Sequence, residues 1–247
     1  MAGHSKFKNI MHRKGAQDKK RAKLFTKLVR ELLVAAAAGP DPVFNPRLRL
    51  AILAAREANL PRDKIDNAIQ KASSPTTSDQ YEEMRYEGYG TSGVALIVEA
   101  LTDNKNRTAS DIRSTFSKFG GTLAETGSVN YMFNRLGFLL YESQTLSDDA
   151  VLEAAIEAGA DDCESHEGQH EILCSPDFLH AVKEKLETKL GEPRAAKLIW
   201  KPANQITLNL AQATSVLKLI DALEENDDVQ NVWGNFIIPD EVMEKIE

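Results

Sequence analysis

The spacing of apolar residues changes once along this chain, near residue 79, and this change limits the folds that the sequence can adopt. Before it, apolar residues recur every three or four positions, as in the stripe that contains Leu24, Leu28 and Leu32, and this period predicts helix. After it, short apolar runs such as Val94–Val98 alternate with helical stretches, as in strands that are connected through helices. The sequence therefore predicts an α+β protein whose helical part comes first.

Three helices are predicted in residues 17–72. The first ends at Gly39-Pro40, and the second has Asn45 as its N-cap and Pro46 at its first position, where both residue types are favoured. The third opens at Pro61. The segment Ser73–Asp79, rich in Ser, Thr and Pro, is predicted to be a linker.

Residues 136–202 follow the order strand-helix-strand-strand-helix-strand, which is that of the ferredoxin-like (split βαβ) unit. The flanking segments add strand-helix-strand before it and a helix and a strand after it, so we expect a second, similar α/β unit into which the first is inserted. Two sequential α/β units are the alternative. The predicted domains are a basic three-helix domain of residues 1–79, a discontinuous α/β domain of residues 80–135 plus 203–247, and an inserted α/β domain of residues 136–202.

Apolar runs, caps and glycines mark the elements of these α/β units. The predicted elements are strands at Val94–Val98, Ser128–Phe133 and Phe138–Tyr141, a helix with a capping box at Thr108 and Asp111, helix Asp148–Ala158 ended by Gly159, a hairpin across Gly168, helix Phe178–Leu190, strand Lys197–Lys201, helix Ala213–Glu224 and strand Val229–Ile238.

Charge is divided along the chain. Residues 1–79 contain 16 Lys and Arg against 7 Asp and Glu, a balance of +9, whereas the remainder has a balance of −16. The first 30 residues hold 10 basic residues and one acidic residue, Asp18. A basic segment on an acidic body is expected when one part of a protein meets a polyanion. We therefore expect any nucleic-acid contact to lie in the N-terminal third.

Basic side chains in the first helix are regularly spaced. Lys20, Lys23, Lys27 and Arg30, here called the basic row, lie roughly opposite the apolar stripe, so one helix face packs and the other offers charge to phosphates. A solvated helix face or a transit peptide would have a similar composition. The candidate nucleic-acid-binding residues, with two rings that can stack on bases, are Lys6, Phe7, Lys8, His12, Arg13, Lys14, Lys19, Lys20, Arg21, Lys23, Lys27 and Arg30.

Ordered motifs along the chain carry a family resemblance. They include Ala2-Gly3-His4-Ser5-Lys6, His12-Arg13-Lys14, Phe25-Thr26-Lys27-Leu28, Tyr86-Glu87-Gly88-Tyr89-Gly90, Leu101-Thr102-Asp103-Asn104-Lys105-Asn106-Arg107-Thr108 and Asp227-Asp228-Val229-Gln230. The set closely resembles the YebC family, whose mitochondrial relative is the translational activator of cytochrome c oxidase. The resemblance implies one helical and two α/β domains. It also implies a cytoplasmic, non-enzymatic role in gene expression, either as a DNA-binding transcriptional regulator or in translation, on messenger or ribosomal RNA.

Two motifs suggest ligand sites that the residue pattern disfavours. Gly88, Gly90 and Gly93 form G-x-G-x-x-G, but they precede a strand and open no helix, so turn glycines are favoured over a dinucleotide site. A second group has the residue types of zinc ligands. In a hairpin that turns at Gly168-Gln169, Cys163 would face Cys174 and only three of the four side chains would share a face, so we expect no metal. This group is Cys163, His166, His170 and Cys174.

A polar loop precedes the helix after the first predicted strand. Its residues are Asp103, Asn104, Asn106 and Arg107. Local hydrogen bonding in a turn and a helix cap explains these residue types best, and contact with RNA or a partner is the second hypothesis.

The remaining features exclude several classes of protein. The longest apolar run, Leu32–Ala38, is far shorter than the roughly 18 residues of a membrane span, and two cysteines fit a reducing compartment. No nucleophile elbow, P-loop or zinc-protease motif is present. We expect a cytoplasmic protein that binds DNA or RNA, with the ribosome as a further partner, and that has no catalytic residue, cofactor or membrane contact. An adaptor whose acidic units bind a basic protein is the alternative, and the oligomeric state stays open.

Overall fold

A computed structural model describes residues 17–72, 81–142, 146–166 and 168–246, with side chains from residue 21 onward. The chain forms two compact units. The first unit groups Met1–Arg30, Thr76–Asn134 and Lys201–Glu247, and the second groups Glu31–Pro75 and Arg135–Trp200. The predicted division into three domains stays a prediction beside this grouping.

The three N-terminal helices lie where the apolar spacing predicts them, at α1 (Gln17–Ala37), α2 (Pro46–Glu57) and α3 (Arg62–Ala72). Asn45 caps α2, since its Oδ1 accepts a hydrogen bond from the Leu48 amide at 3.0 Å. Its Nδ2 donates to the carbonyl oxygens of Ala35 and Gly39 at 2.6 and 2.7 Å. One side chain thus joins the end of α1, the loop and the start of α2. The predicted linker lies outside the described residues.

The later elements alternate between strands and helices. In chain order they are β1 (Glu82–Tyr89), β2 (Ala95–Thr102), α4 (Lys105–Lys118), β3 (Thr122–Leu123), β4 (Phe133–Glu142), α5 (Asp148–Ala158), β5 (Asp162–His166), β6 (Gln169–Cys174), α6 (Leu179–Leu190), β7 (Ala195–Pro202), β8 (Ile206–Thr207), α7 (Leu210–Glu224), β9 (Val229–Gly234), β10 (Phe236–Ile237) and α8 (Asp240–Met243). Within the described ranges, no helix combines the length and the apolar content that crossing a membrane requires.

The second unit contains the predicted ferredoxin-like arrangement. Its sheet has the order β5-β6-β4-β7, and α5 and α6 connect its strands. Gly159 ends α5 at φ +87°, as predicted, and Ser147 caps the start of this helix. The hairpin turns at Gly168, where φ is +78°, a conformation that glycine adopts without strain. The α+β class is therefore confirmed.

The first unit has a sheet of similar layout, in the order β3-β1-β2-β9, with antiparallel pairing throughout. Here β1 takes the place that the third strand has in the second unit, although it comes first in the sequence. Leu96, Phe116 and Leu219, from β2, α4 and α7, are fully buried in its core. Gly88 permits this packing, because a Cβ there would lie 2.8 Å from both Phe116 Cε1 and the Thr122 carbonyl oxygen.

Strand β1 has no counterpart among the predicted elements. Of the glycines in the G-x-G-x-x-G motif, Gly90 and Gly93 lie at the 3₁₀ turn Thr91–Gly93 that leads to β2, as predicted, whereas Gly88 lies within β1 and not in a turn. The predicted strand Ser128–Phe133 is wrong over most of its length. Asn130–Met132 forms a 3₁₀ turn, because the amides of Val129 and Asn130 donate to the Glu87 carboxylate and not to a neighbouring strand.

Two predicted boundaries also differ from the structure. Helix α4 begins at Lys105 and is capped by Asn104, so the capping box at Thr108 and Asp111 is wrong; Thr108 is buried within the helix. The last predicted strand is interrupted at Asn235, whose Oδ1 accepts a hydrogen bond from the Ala95 amide at 2.7 Å. This side-chain bond separates β9 from β10.

Candidate nucleic-acid interface

Two lysines of the basic row contact the end of α7. Lys23 Nζ donates to the Glu225 carbonyl oxygen at 2.6 Å, and Lys27 Nζ donates to the Glu224 carbonyl oxygen at 2.8 Å. The last carbonyls of a helix lack partners within the helix and carry the negative end of its dipole, so ammonium groups stabilise them. These lysines therefore serve as a C-terminal cap for α7, a role that the spacing in α1 does not reveal.

Arg30 makes the most extensive contacts of the basic row. Its Nη1 donates to the carbonyl oxygens of Leu101 and Asp227 at 2.9 and 2.8 Å and to Asp228 Oδ1 at 2.9 Å. Its guanidinium also lies 5.1 Å from the centre of the Tyr81 ring. With its side chain only 14% exposed, Arg30 connects α1 to the core of the first unit.

The setting of Lys27 changes its acid–base properties. Burial lowers the pKa of its ammonium group, and the negative charge of Glu224 opposes this shift without cancelling it. Lys27 is thus held by an acidic neighbour in a site that is poorly hydrated for a lysine.

The other predicted nucleic-acid contacts differ in how much of each residue the structure describes. Arg21 is exposed, and its guanidinium lies 5.3 Å from the centre of the half-buried Phe25 ring. Lys19 and Lys20 are on the α1 backbone, but their side chains are outside the described part of the chain. The remaining candidates also lie outside it, so their role stays a prediction; they are Lys6, Phe7, Lys8, His12, Arg13 and Lys14.

The polar loop before α4 forms a turn and a cap, as its residue types favoured. Asn104 Oδ1 accepts from the Arg107 amide at 3.1 Å, and Asp103 pairs with the Arg107 guanidinium at 2.8 Å. Asn106 is exposed in the first turn of α4. Contact of these four residues with RNA or a partner stays a prediction.

Asp228 joins this loop to the basic row, a role that no local sequence pattern indicates. It is 5% exposed, and its Oδ2 accepts from Arg107, Thr108 and Thr102 at 2.8, 2.6 and 3.1 Å while Oδ1 accepts from Arg30. Burial raises the pKa of this carboxyl, but the hydrogen bonds and the charge of Arg107 outweigh it and hold the pKa below its usual value. Asp228 is therefore an ionised centre of the polar network.

A second buried carboxylate, Glu87, shapes the loop before β4. It is 1% exposed, accepts from the Val129 and Asn130 amides at 2.8 and 3.0 Å, and lies 3.4 Å from Arg85 Nε. Burial raises the pKa of Glu87, but the backbone hydrogen bonds lower it by more, so the net shift is downward. The loop that Glu87 holds presents Tyr131, which is 74% exposed.

The structure does not bring the cysteine and histidine group of the second unit together as a set of ligands. Cys163 pairs with Ile172 and not with Cys174, because the hairpin turns one residue earlier than predicted. His170 is buried, and its Nδ1 lies 2.8 Å from Ser165 Oγ. Among the residues that the structure describes, no three His, Cys, Asp or Glu side chains are grouped as metal ligands.

These features define a class of protein: N-terminal helices with a basic row, followed by α/β units whose sheets share one layout. Residues 5–75 match the family model described as the TACO1/YebC protein N-terminal domain, and residues 81–236 match the TACO1/YebC second and third domain. The chain belongs to the TACO1/YebC family. A crystal structure of a conserved hypothetical protein from Aquifex aeolicus is 45% identical, with 94% of this chain and 96% of that chain covered and a TM-score of 0.81.

Proposed function

We propose that this protein is a non-enzymatic, cytoplasmic regulator of gene expression that binds nucleic acid through its basic N-terminal segment. The observation that carries the proposal is the charge division, +9 in residues 1–79 against −16 in the remainder. Phosphates attract the first part and repel the second, so a polyanion has one favoured approach. Family membership supports the regulatory role.

In this mechanism, lysine and arginine side chains neutralise backbone phosphates and hold the polymer, with little reading of base edges. Arg21, exposed and close to Phe25, is the described side chain best placed to begin such contacts. Duplex DNA is the binding partner expected for a transcriptional regulator. RNA on the ribosome is the partner expected for a translational activator, the second function that the family resemblance implies.

Salt titration tests the proposal. We expect a labelled mixed-sequence DNA duplex, or the RNA of the same sequence, to lose affinity linearly in log K against log salt, with a slope of about −0.9 per phosphate neutralised on duplex DNA and about −0.7 on single strands. Tighter binding of DNA at physiological salt would favour a role in transcription, and tighter binding of RNA would favour a role in translation. A salt-independent affinity would refute phosphate binding.

Charge reversal locates the contact. Lys19→Glu, Lys20→Glu and Lys23→Glu together should abolish binding, because they replace three attractive charges with repulsive ones. The matched control reverses three exposed basic residues elsewhere in the first unit, Arg113, Lys218 and Lys245, and should retain most of the affinity. Circular dichroism verifies that both variants are folded. If the first variant binds as the wild type does, an adaptor that binds a basic protein becomes the better hypothesis.

A further inference from the structure

Two lysines of the basic row already donate hydrogen bonds to acceptors of the chain itself. Lys23 and Lys27 donate to carbonyl oxygens of residues 225 and 224, at the end of α7. This end continues into the acidic segment, residues 224–228, which reads Glu-Glu-Asn-Asp-Asp. Its members Glu224, Glu225 and Asp227 are exposed. The two lysines therefore face closely spaced negative charge and the negative end of a helix dipole, as they would on a phosphate backbone.

The contacts within the basic row differ in how readily they can exchange. Among the described residues, Lys23 and Lys27 each donate to one backbone carbonyl oxygen, at the exposed residues Glu225 and Glu224, and single interactions at such exposed positions contribute little. Arg30, in contrast, has three acceptors and is mostly buried. A polyanion can replace the acceptors of the two lysines, while Arg30 keeps α1 attached.

We propose that the acidic segment is an intramolecular competitor for nucleic acid, which holds Lys23 and Lys27 in the free protein and is displaced from them when a phosphate backbone binds. The proposal rests on the proposed function, because it concerns the same cationic surface. It makes the measured affinity the difference between two interactions of the same lysines. Weak and non-specific polyanion contacts would be suppressed, and only a polymer that engages several cations at once would displace the segment.

The test removes charge from the competitor and leaves the lysines in place. Glu224→Gln with Glu225→Gln should increase affinity for a labelled mixed-sequence DNA duplex or RNA by roughly three- to tenfold, the size expected for two weakened surface interactions. The control, Glu125→Gln with Glu241→Gln, makes the same change in net charge at exposed positions. The two control residues follow β3 and β10, which lie near the Ala95 end of β2. Arg30 contacts the opposite end of β2, at Leu101. We expect less than a twofold change for the control.

A double-mutant cycle separates direct competition from a general effect of charge. In a Lys23→Gln, Lys27→Gln background, the Glu224→Gln, Glu225→Gln pair should no longer increase affinity, because the lysines it competes for are absent. An increase that persists in this background, or equals that of the control, would overturn the competitor. If neither the wild type nor the Glu224, Glu225 variant binds either polymer, the proposed function fails and the competitor fails with it.

Discussion

Replacement of Asp228 by asparagine tests the polar network most directly. Four donors converge on this carboxylate, three of them on Oδ2. An amide can keep its oxygen in the Oδ2 position, but its NH₂ group then faces the Arg30 guanidinium, donor against donor. The substitution therefore removes one charge and one charged hydrogen bond while the shape of the side chain is preserved.

The magnitude follows from the exposure of the partners. Removal of one partner from a fully buried ion pair costs about 3–5 kcal/mol, and a hydrogen bond to a charged group about 1.5–3 kcal/mol. Arg107 is 47% exposed, so water screens its share, and Arg30 keeps two carbonyl acceptors. We expect Asp228→Asn to lower the free energy of unfolding by about 2–3 kcal/mol at neutral pH.

The same variant should change the pH dependence of stability. The pKa of Asp228 is lowered on folding, so its ionised form stabilises the native state above its unfolded pKa, about 3.9. This contribution is lost as the pH falls through the lower, folded pKa. The stability difference between wild type and variant should thus be constant near neutrality and shrink below about pH 4.

Urea unfolding followed by circular dichroism at several pH values measures both effects. Asp227→Asn is the control, because the side chain of Asp227 is exposed, and it should change stability by less than about 0.5 kcal/mol. The role of the carboxylate would be refuted if Asp228→Asn lowered the free energy of unfolding at neutral pH by no more than the control does. It would also be refuted if the stability difference between wild type and Asp228→Asn were undiminished at about pH 3.

Further substitutions check the packing and capping. Gly88→Ala should destabilise the protein by about 1–3 kcal/mol in urea unfolding, since its Cβ would overlap Phe116. Asn45→Ala should cost about 2 kcal/mol, because it removes a cap and two loop hydrogen bonds. Phe44→Ser should change stability by less than about 0.5 kcal/mol in the same assay, because this ring is 84% exposed. Burial raises the pKa of the Cys174 thiol to about 11, so mass spectrometry should detect its alkylation at neutral pH only after unfolding.

Local signals were sufficient for most of the helices. The capping bond of Asn45 and the left-handed backbone of Gly159 involve only near neighbours in sequence. The order of strands and helices in the second unit was predictable for a similar reason, since the α/β sequence pattern repeats within one continuous segment. In these features the interacting residues are close together in the sequence, so a local pattern is enough to predict them.

Features that depend on distant partners were missed. Strand β1 is rich in charged residues, and it becomes recognisable as a central strand only when Glu87 is paired with amides some 40 positions later. Asp228 is likewise one acid among many until Arg30 and Arg107 are placed beside it. In α1 the spacing predicted the helix and the common face of its cations, but their acceptors are at the end of α7, which no local pattern connects to α1.

The pairing of β9 with β2 has a consequence for the order in which a ribosome allows the protein to fold. Leu96 of β2 pairs with Gly234 of β9. Most of the chain must therefore leave the ribosome before β9 can cover this edge of β2. Strands β4 to β7, in contrast, occupy one continuous stretch of residues 133–202 and can assemble earlier. Nascent or prematurely terminated chains would therefore expose an apolar strand edge, which is a template for aggregation. Asp228 immediately precedes β9, so its contacts with Arg30 and Arg107 can form at the same stage as the pairing of β9 with β2.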